Sequence, residues 1–339
     1  MTYKIVQWYT GALACQQIRL IAAHPELELV GAVVYHEEKA GRDAGELAGI
    51  APLGITATAD REAALHLEAD CVLYNAPYEH YDDIVPLLAG GSNVISPVAG
   101  FYPKIRPEYD EIVSACTQGG STLAGSGVHP GFQGDYLPLL ATSMCSKIDH
   151  VHIREWADIA DYNPFTLTEV MGFGKPLADL ERDTGYLSYM TGAYQEMAAL
   201  VADGVGLPWD RFEAEFEFAP ATGDCVGGAV KAGTMAAIRM RHIATGERGP
   251  VVTEDIVWYV DPNIGGEWVR AANDPDFVVS VTGTPDCTVS ASLTSGEGKL
   301  HAGVDAGAAR AINAIPMVCS AAPGILTALE SPLPRHWPT

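Results

Sequence analysis

The chain has 339 residues, more than one hydrophobic core usually serves, and its balance of 48% hydrophobic to 19% charged residues is that of a folded protein of two domains rather than a disordered one. With 43 acidic against 20 basic residues the formal net charge is -23, which repels nucleic acid and an anionic membrane surface alike. No apolar run approaches the roughly 20 residues that cross a bilayer, and seven scattered cysteines without a C-x-x-C pair read as reduced thiols, not as a disulfide framework or a metal site.

The opening Met-Thr-Tyr-Lys-Ile-Val-Gln-Trp has no basic region followed by a long apolar stretch, so it reads as a strand and not as a signal peptide; a cytoplasmic protein is expected. Lys4 to Trp8 is that strand, Tyr9 to Leu13 a turn, and Cys15 to Ala23 a helix with Ile18, Ile21 and Ala22 on one face. His24-Pro25 ends it, because a proline ring cannot continue a helix. Glu28 to Tyr35 is a second strand. Strands follow at Cys71 to Asn75, Asn93 to Ser96 and Thr122 to Gly125, with helices at Tyr81 to Ala89 and Arg106 to Thr117. This alternation of near-continuous apolar strands with helices predicts a parallel sheet covered on both faces.

Beyond Gly131 the pattern changes to period two, at Asp149 to Ala157, Arg211 to Ala219, Thr234 to Ala244 and Thr253 to Val260, with a helical interval at Tyr186 to Ala202. These segments predict antiparallel strands of an open sheet. Ala306 to Leu329 reads as helix again and is expected to return to the first domain. The expected fold is α/β: a Rossmann-type parallel sheet domain over residues 1–135, with 306–339 packed back on it, plus an α+β domain over 136–305 built on an open mixed or antiparallel sheet.

The strand-turn-helix at the chain start carries the cofactor signal. A dinucleotide turn must be tight, bring its backbone close to the pyrophosphate, and offer that group the free N–H groups of a helix start. The G-x-G-x-x-G spacing places Tyr9 at the first glycine, Gly11 at the second and Ala14 at the third. Ala14 suits a position that only demands close helix packing, whereas Tyr9 departs from the pattern. After the second strand, Tyr35-His36-Glu37-Glu38-Lys39-Ala40-Gly41-Arg42 mixes cations suited to a 2'-phosphate (His36, Lys39, Arg42) with acids suited to a free ribose hydroxyl (Glu37, Glu38). The reading is NADP or NAD, with NADP slightly preferred.

The stretches QWYTGALA (7–14), HPELELVGAVVYHEEKAGRDAGEL (24–47), GSGVHPGF (125–132), EVMGFGKP (169–176) and AINAIPMVCSAAPGI (311–325) resemble, in order and along nearly the whole chain, the dihydrodipicolinate reductase-like proteins. Within that family they are most similar to the branch of 2,4-diaminopentanoate dehydrogenase and the NAD(P)-dependent amine dehydrogenases. The resemblance implies a homodimer and a small carbonyl, imine or amine substrate. It implies that Thr10, Gly11, Ala12 and Leu13 cradle the pyrophosphate, that Asn75, Ala76 and Pro77 flank the adenosine ribose, and that Ser96, Pro97, Val98 and Ala99 lie beside the nicotinamide. His129 takes the asparagine position of the family's G-V-N-P-G-F turn, and Asn313 matches a residue of the late helix that approaches the same end of the cofactor. One departure matters: amine dehydrogenases of this group carry a glutamate just after the strand ending near Ser96, and Val98-Ala99-Gly100-Phe101 has no acid.

Candidate proton donors or acceptors are His129, whose imidazole titrates near neutral pH, then Glu155 (with Asp158) at a strand end, and Tyr102 beside the missing acid. Tyr162, Phe173, Tyr186 and Met190, with Val98, would line an apolar substrate pocket, although as plain core residues they look the same in sequence. The expected function is hydride transfer to or from the C=O or C=N carbon of a small, mostly apolar substrate. The alternatives are amine dehydrogenation with a substitute acid and non-catalytic sensing of NAD(P). No metal site, nucleic acid or membrane partner is expected.

Overall fold

The short apolar runs of the first third are covered on both faces: all four residues of Cys71–Tyr74 are buried, as are Ile5, Val6 and Trp8. The computed structural model describes residues 2–164, 166–180, 184–271, 273–296 and 299–338; the side chains of residues 184, 186 and 299–301, Tyr186 among them, lie outside the description. In chain order the elements are β1 (Tyr3–Trp8), α1 (Ala12–Ala23), β2 (Leu27–Val33), α2 (Ala44–Leu47), α3 (Arg61–Leu65), β3 (Cys71–Tyr74), α4 (Tyr81–Ala89), β4 (Asn93–Ser96), α5 (Tyr109–Gly119) and β5 (Thr122–Gly125). There follow α6 (Tyr136–Thr142), β6 (Lys147–Asp158), α7 (Leu177–Leu180), α8 (Thr184–Val205), β7 (Arg211–Pro220), β8 (Met235–Gly246) and β9 (Gly249–Tyr259). The chain ends with β10 (Phe277–Thr284), β11 (Cys287–Ala291), α9 (Lys299–Cys319) and β12 (Gly324–Ile325). Two compact units result: Met1–Phe132 with Val304–Thr339, and Gln133–Gly303.

In the first unit six parallel strands take the order β12-β5-β4-β3-β1-β2. Strand alternation divides its core in two. Ile5, Leu73 and Ile95 face Ile18 and Ile21 of α1 and Ile312, Ile315 and Val318 of α9. Val6, Val72, Tyr74 and Val94 face Ile84, Leu87 and Leu88 of α4 and Ile112 of α5. Each such fully buried aliphatic side chain contributes about 1.5–3 kcal/mol, so the three from α9 suffice to seat it on the sheet. Because β2 and β3 flank β1, the direction of winding reverses at β1, and the crevice outside the strand ends there is where an open α/β sheet receives ligands.

The predicted helix over 306–329 stops at Cys319. Pro323 bars helical backbone at Ala322, Gly324 takes φ 145, and Gly324–Ile325 pairs with Thr122–Leu123 as the sixth strand. A segment of two paired residues is too short to show a period in the sequence.

The second unit is a six-stranded sheet, β11-β10-β6-β9-β8-β7. Its pairs are antiparallel except the central β6–β9, which is parallel. The period-two pattern identifies a half-covered strand but not the direction of its neighbour; the one parallel pair makes the sheet mixed, the first of the two forms expected. The covered face packs on α8 through Met190, Tyr194, Met197, Ile238, Met240 and Ile256. The other face is charged: Arg239 meets Glu217, Asp255 and Glu267 at 3.0–3.6 Å, and Arg241 meets Glu215 and Asp255. Burial, then Arg154 and His150, pushes the His152 pKa down to about 4, so that imidazole is neutral. Among the described residues no helix is long and apolar enough to cross a membrane.

Glu254, midway along β9, is fully buried opposite Ile153 and His242, and neither carboxyl oxygen has a hydrogen-bond partner among the described residues. Burial raises its pKa well above the ordinary 4.5. The folded state therefore holds the proton more tightly than the unfolded one. That preference is favourable below pH 4.5 and is lost as pH rises toward the folded value. Glu254→Gln removes the loss. Thermal denaturation should show the variant melting about 3 °C or more above wild type at pH 8, with the gap closing as pH falls to 4.5.

Candidate active site

The turn after β1 is built by backbone geometry. Tyr9 adopts φ 71, the left-handed conformation that the first glycine of a dinucleotide turn would take, at a cost of about 1–2 kcal/mol for a residue with a Cβ. Its ring does not fill the turn: it is buried against Trp8, Tyr74 and Tyr35, at centroid separations of 6.5, 6.5 and 5.9 Å. Gly11 sits at the N-cap of α1 in extended conformation. No protein atom lies within 4 Å of a Cβ built there, so backbone strain is not the reason for glycine; an open approach to the helix start is. No side chain caps α1 and its first turn holds no acid, which leaves the N–H groups of Ala12 and Leu13 to a ligand.

A cation stands at this turn. Lys39, in a single helical turn after β2, donates from Nζ to the Thr10 carbonyl at 3.1 Å and to Thr10 Oγ1 at 3.4 Å. Tyr35 is 73% exposed, with its ring edge-on to Tyr9 and to His36. Arg42, Glu37 and Glu38 are exposed on the same loop. Asp43 caps α2 and binds the backbone N–H of Leu53, Gly45 and Gly54, bonds that hold its carboxyl below the usual range.

The other strand ends are tied to one another. The Asn75 N–H donates to the Trp8 carbonyl, and the Asn75 side chain bonds Gln17 of α1. Ala76 is buried and Pro77 exposed. After β4, Ser96 Oγ accepts the Val98 N–H at 3.1 Å and the Ser96 carbonyl accepts the Ser126 N–H at 2.8 Å, so Pro97–Ala99 and the 126–132 segment lie side by side. Gly100, at φ 83, packs so closely that a Cβ would come within 2.9 Å of Leu123. Tyr102 is buried with Lys104 over its ring, and His129 is half-buried.

The late helix reaches this end of the unit through residues other than Asn313. Gly307 lies against Leu13 and Val128, and Arg310 bonds the Gly131 carbonyl and covers the Phe132 ring. Asn313 instead accepts the Trp337 N–H, and Trp337 packs on Tyr3 and His24, at the opposite ends of β1 and α1.

In the second unit Tyr162, Phe173 and Met190 share one apolar cluster, together with Trp258. Glu155 lies beside it: it is 7% exposed and accepts the Trp258 Nε1–H at 3.2 Å. Burial, then the neighbouring Glu155, lifts the Tyr162 pKa to about 12, so the phenol keeps its proton. Asp158 closes the same strand and accepts the Ala160 N–H. Sequence reasoning missed Trp258, because nothing in a local pattern shows which polar groups a fold will bring together. Among the described residues no group of three His, Cys, Asp or Glu is placed to hold a metal.

Residues 132–338 match the family model of the 2,4-diaminopentanoate dehydrogenase C-terminal domain. The chain belongs to that family. It is 31% identical to an amine dehydrogenase of Streptomyces virginiae, over 97% of this chain and 96% of that protein. A 4-hydroxy-tetrahydrodipicolinate reductase of Synechocystis is 28% identical over 159 residues, 44% of this chain and 56% of its own. The solved amine dehydrogenase from Mycobacterium smegmatis has the same fold, with a TM-score of 0.82 over 99% of this chain and 98% of that one at 18% identity. The resemblance read from the motifs thus holds, and this member of the diaminopentanoate dehydrogenase family is an NAD(P)-dependent oxidoreductase. The residues at the β1–α1 turn fit a nicotinamide dinucleotide: an open glycine, uncapped helix N–H groups and an adjacent lysine.

Proposed function

We propose that the enzyme interconverts a small, mostly apolar primary amine and the corresponding carbonyl compound. The observation that carries this reading is Glu155, a nearly buried carboxyl group held by an indole N–H beside an apolar aromatic cluster. When bound, the nicotinamide supplies the chemistry of hydride exchange at the substrate carbon. The backbone of Thr10, Gly11, Ala12 and Leu13 would hold the pyrophosphate, and Pro97, Val98 and Ala99 would offer the nicotinamide an apolar flank. Asn75, Ala76 and Pro77 would border the ribose.

Pro97–Pro103 contains no acid, so the proton of a substrate ammonium must go elsewhere. Glu155 would take that proton and leave the nitrogen lone pair free, with Trp258 holding the carboxyl group; once the substrate carbon has lost its hydride, the iminium would take up water and release ammonia to give the carbonyl compound. The Tyr162 hydroxyl, protonated throughout the neutral range, donates to the substrate, and Tyr162, Phe173 and Met190 take its apolar part. In the reverse direction Glu155 would return that proton, and His129 and Tyr102 would be the proton donors if a carbonyl is instead reduced to an alcohol. A second reading, ammonia-independent reduction of a carbonyl, is favoured by the same missing acid. Small ketones and aldehydes with reduced cofactor, with and without ammonium, decide between them: cofactor oxidation that requires ammonium supports the amine reaction, and an equal rate without it supports the second reading. Glu155→Gln should lower kcat by about 100-fold or more while cofactor affinity stays the same.

We also propose that NADP(H) is preferred, because Lys39 is anchored at Thr10 and His36 and Arg42 lie on the same loop. Lys39→Ala should weaken NADPH about tenfold more than NADH in a fluorescence titration. Finally, the charged face of the second sheet, with its cross-strand Arg–carboxylate pairs, suits a second copy of the chain. Light scattering should give twice the monomer mass, and Arg241→Glu should shift it toward the monomer.

A further inference from the structure

Tyr9 takes a glycine's backbone at the first position of the phosphate turn, and something must hold it there. The ring is buried in the first unit, packed on Trp8 and Tyr74, and its side chain interacts electrostatically with the Arg61 guanidinium at the start of α3. Arg61 pairs with Asp83 of α4 at 3.3 Å, and the Asp83 side chain is only 6% exposed. Asp83 in turn accepts the Tyr74 hydroxyl at 3.0 Å, at the end of β3. Tyr74 closes the loop by packing on Tyr9 and Trp8. The two strand ends that flank the crevice are thus joined through one buried carboxylate and one guanidinium, on the side of the turn away from α1.

We propose that Arg61 and Asp83 are positioning residues for cofactor binding: Asp83 fixes Tyr74, whose ring packs on Tyr9, and Arg61 fixes Asp83, so that together they hold the left-handed backbone at Tyr9 and keep the N–H groups after Gly11 in the arrangement that receives a dinucleotide diphosphate. This rests on the cofactor reading of the same turn. The Tyr74 hydroxyl donating to the buried Asp83 carboxylate is a charge-assisted hydrogen bond, which gives the support direction as well as strength.

The test measures Kd for NADH and NADPH by nicotinamide fluorescence on the full chain. The variants are Tyr74→Phe, Asp83→Asn, their double, Arg61→Met and Arg61→Lys. Melting temperature and tryptophan emission (Trp8 adjoins Tyr9) are followed without cofactor. Tyr74→Phe and Arg61→Met should each weaken both cofactors about fivefold or more, with the loss in cofactor KM rather than in kcat and with a shift in tryptophan emission. Arg61→Lys should recover most of the affinity, and the double variant should bind no worse than the weaker single one, because both changes break the same unit. A purely structural role would lower the melting temperature and leave Kd unchanged below it, and that result overturns the proposal, as do losses that simply add. Wild-type protein that binds neither cofactor would instead overturn the cofactor reading itself.

Discussion

Much of the first unit follows from how β1 ends. A strand buried on both faces can satisfy its own polar groups only through its neighbours, and where it stops the chain must turn at once to stay packed. The turn from Tyr9 to Ala12 does so by left-handed backbone at Tyr9 and extended backbone at Gly11, which leaves the first N–H groups of α1 unpaired at the crevice where the sheet reverses its winding. An unpaired helix start is a standing partial positive charge. Lys39, fixed on Thr10, adds a full one, and α9 returns to pack Gly307 on Leu13.

That local positive field has to work against the whole molecule. A net charge of -23 repels an anionic cofactor at long range. Long-range repulsion is screened within about 8 Å at physiological salt, whereas hydrogen bonds at the turn act in contact. Acidity on the rest of the surface is therefore compatible with binding a polyphosphate at one place, provided that place carries its own donors and no acid. The first turn of α1 meets that condition. By contrast, a recess of about 490 Å³ beside α4 and α5 is lined by Glu79, Asp82, Glu108 and Glu111 and does not.

The second unit uses a different division of labour. One face of its sheet is apolar and closed by α8, and there it keeps two buried acids of different character. Glu155 is held by an indole N–H at the edge of an aromatic cluster, whereas Glu254 has no hydrogen-bond partner among the described residues. The first is the group proposed above to exchange a proton with the substrate; the second, whose pKa burial raises well above the ordinary value, is a poor core residue. The difference lies in their surroundings and not in their residue type.

Taken alone, the sequence determined the layers: short apolar runs such as Cys71–Tyr74, alternating with helical stretches, mark strands covered on both sides, and the alternation in Arg211–Pro220 marks a strand covered on one. It also determined the location of the tight turn into α1, because Gly11 after an apolar strand has a local cause. Tertiary structure alone decided what was not local. It set the parallel pairing of β6 with β9, the two-residue strand after α9, and the placing of Asn313 at Trp337 while Arg310 reaches Gly131. It also decided that Tyr9 turns its ring inward against Trp8 and Tyr74, on the side where Arg61 pairs with Asp83, instead of blocking the turn. Residue pattern records which side of an element is buried; partners separated by 52 residues, as Tyr9 and Arg61 are, meet only when the chain has folded.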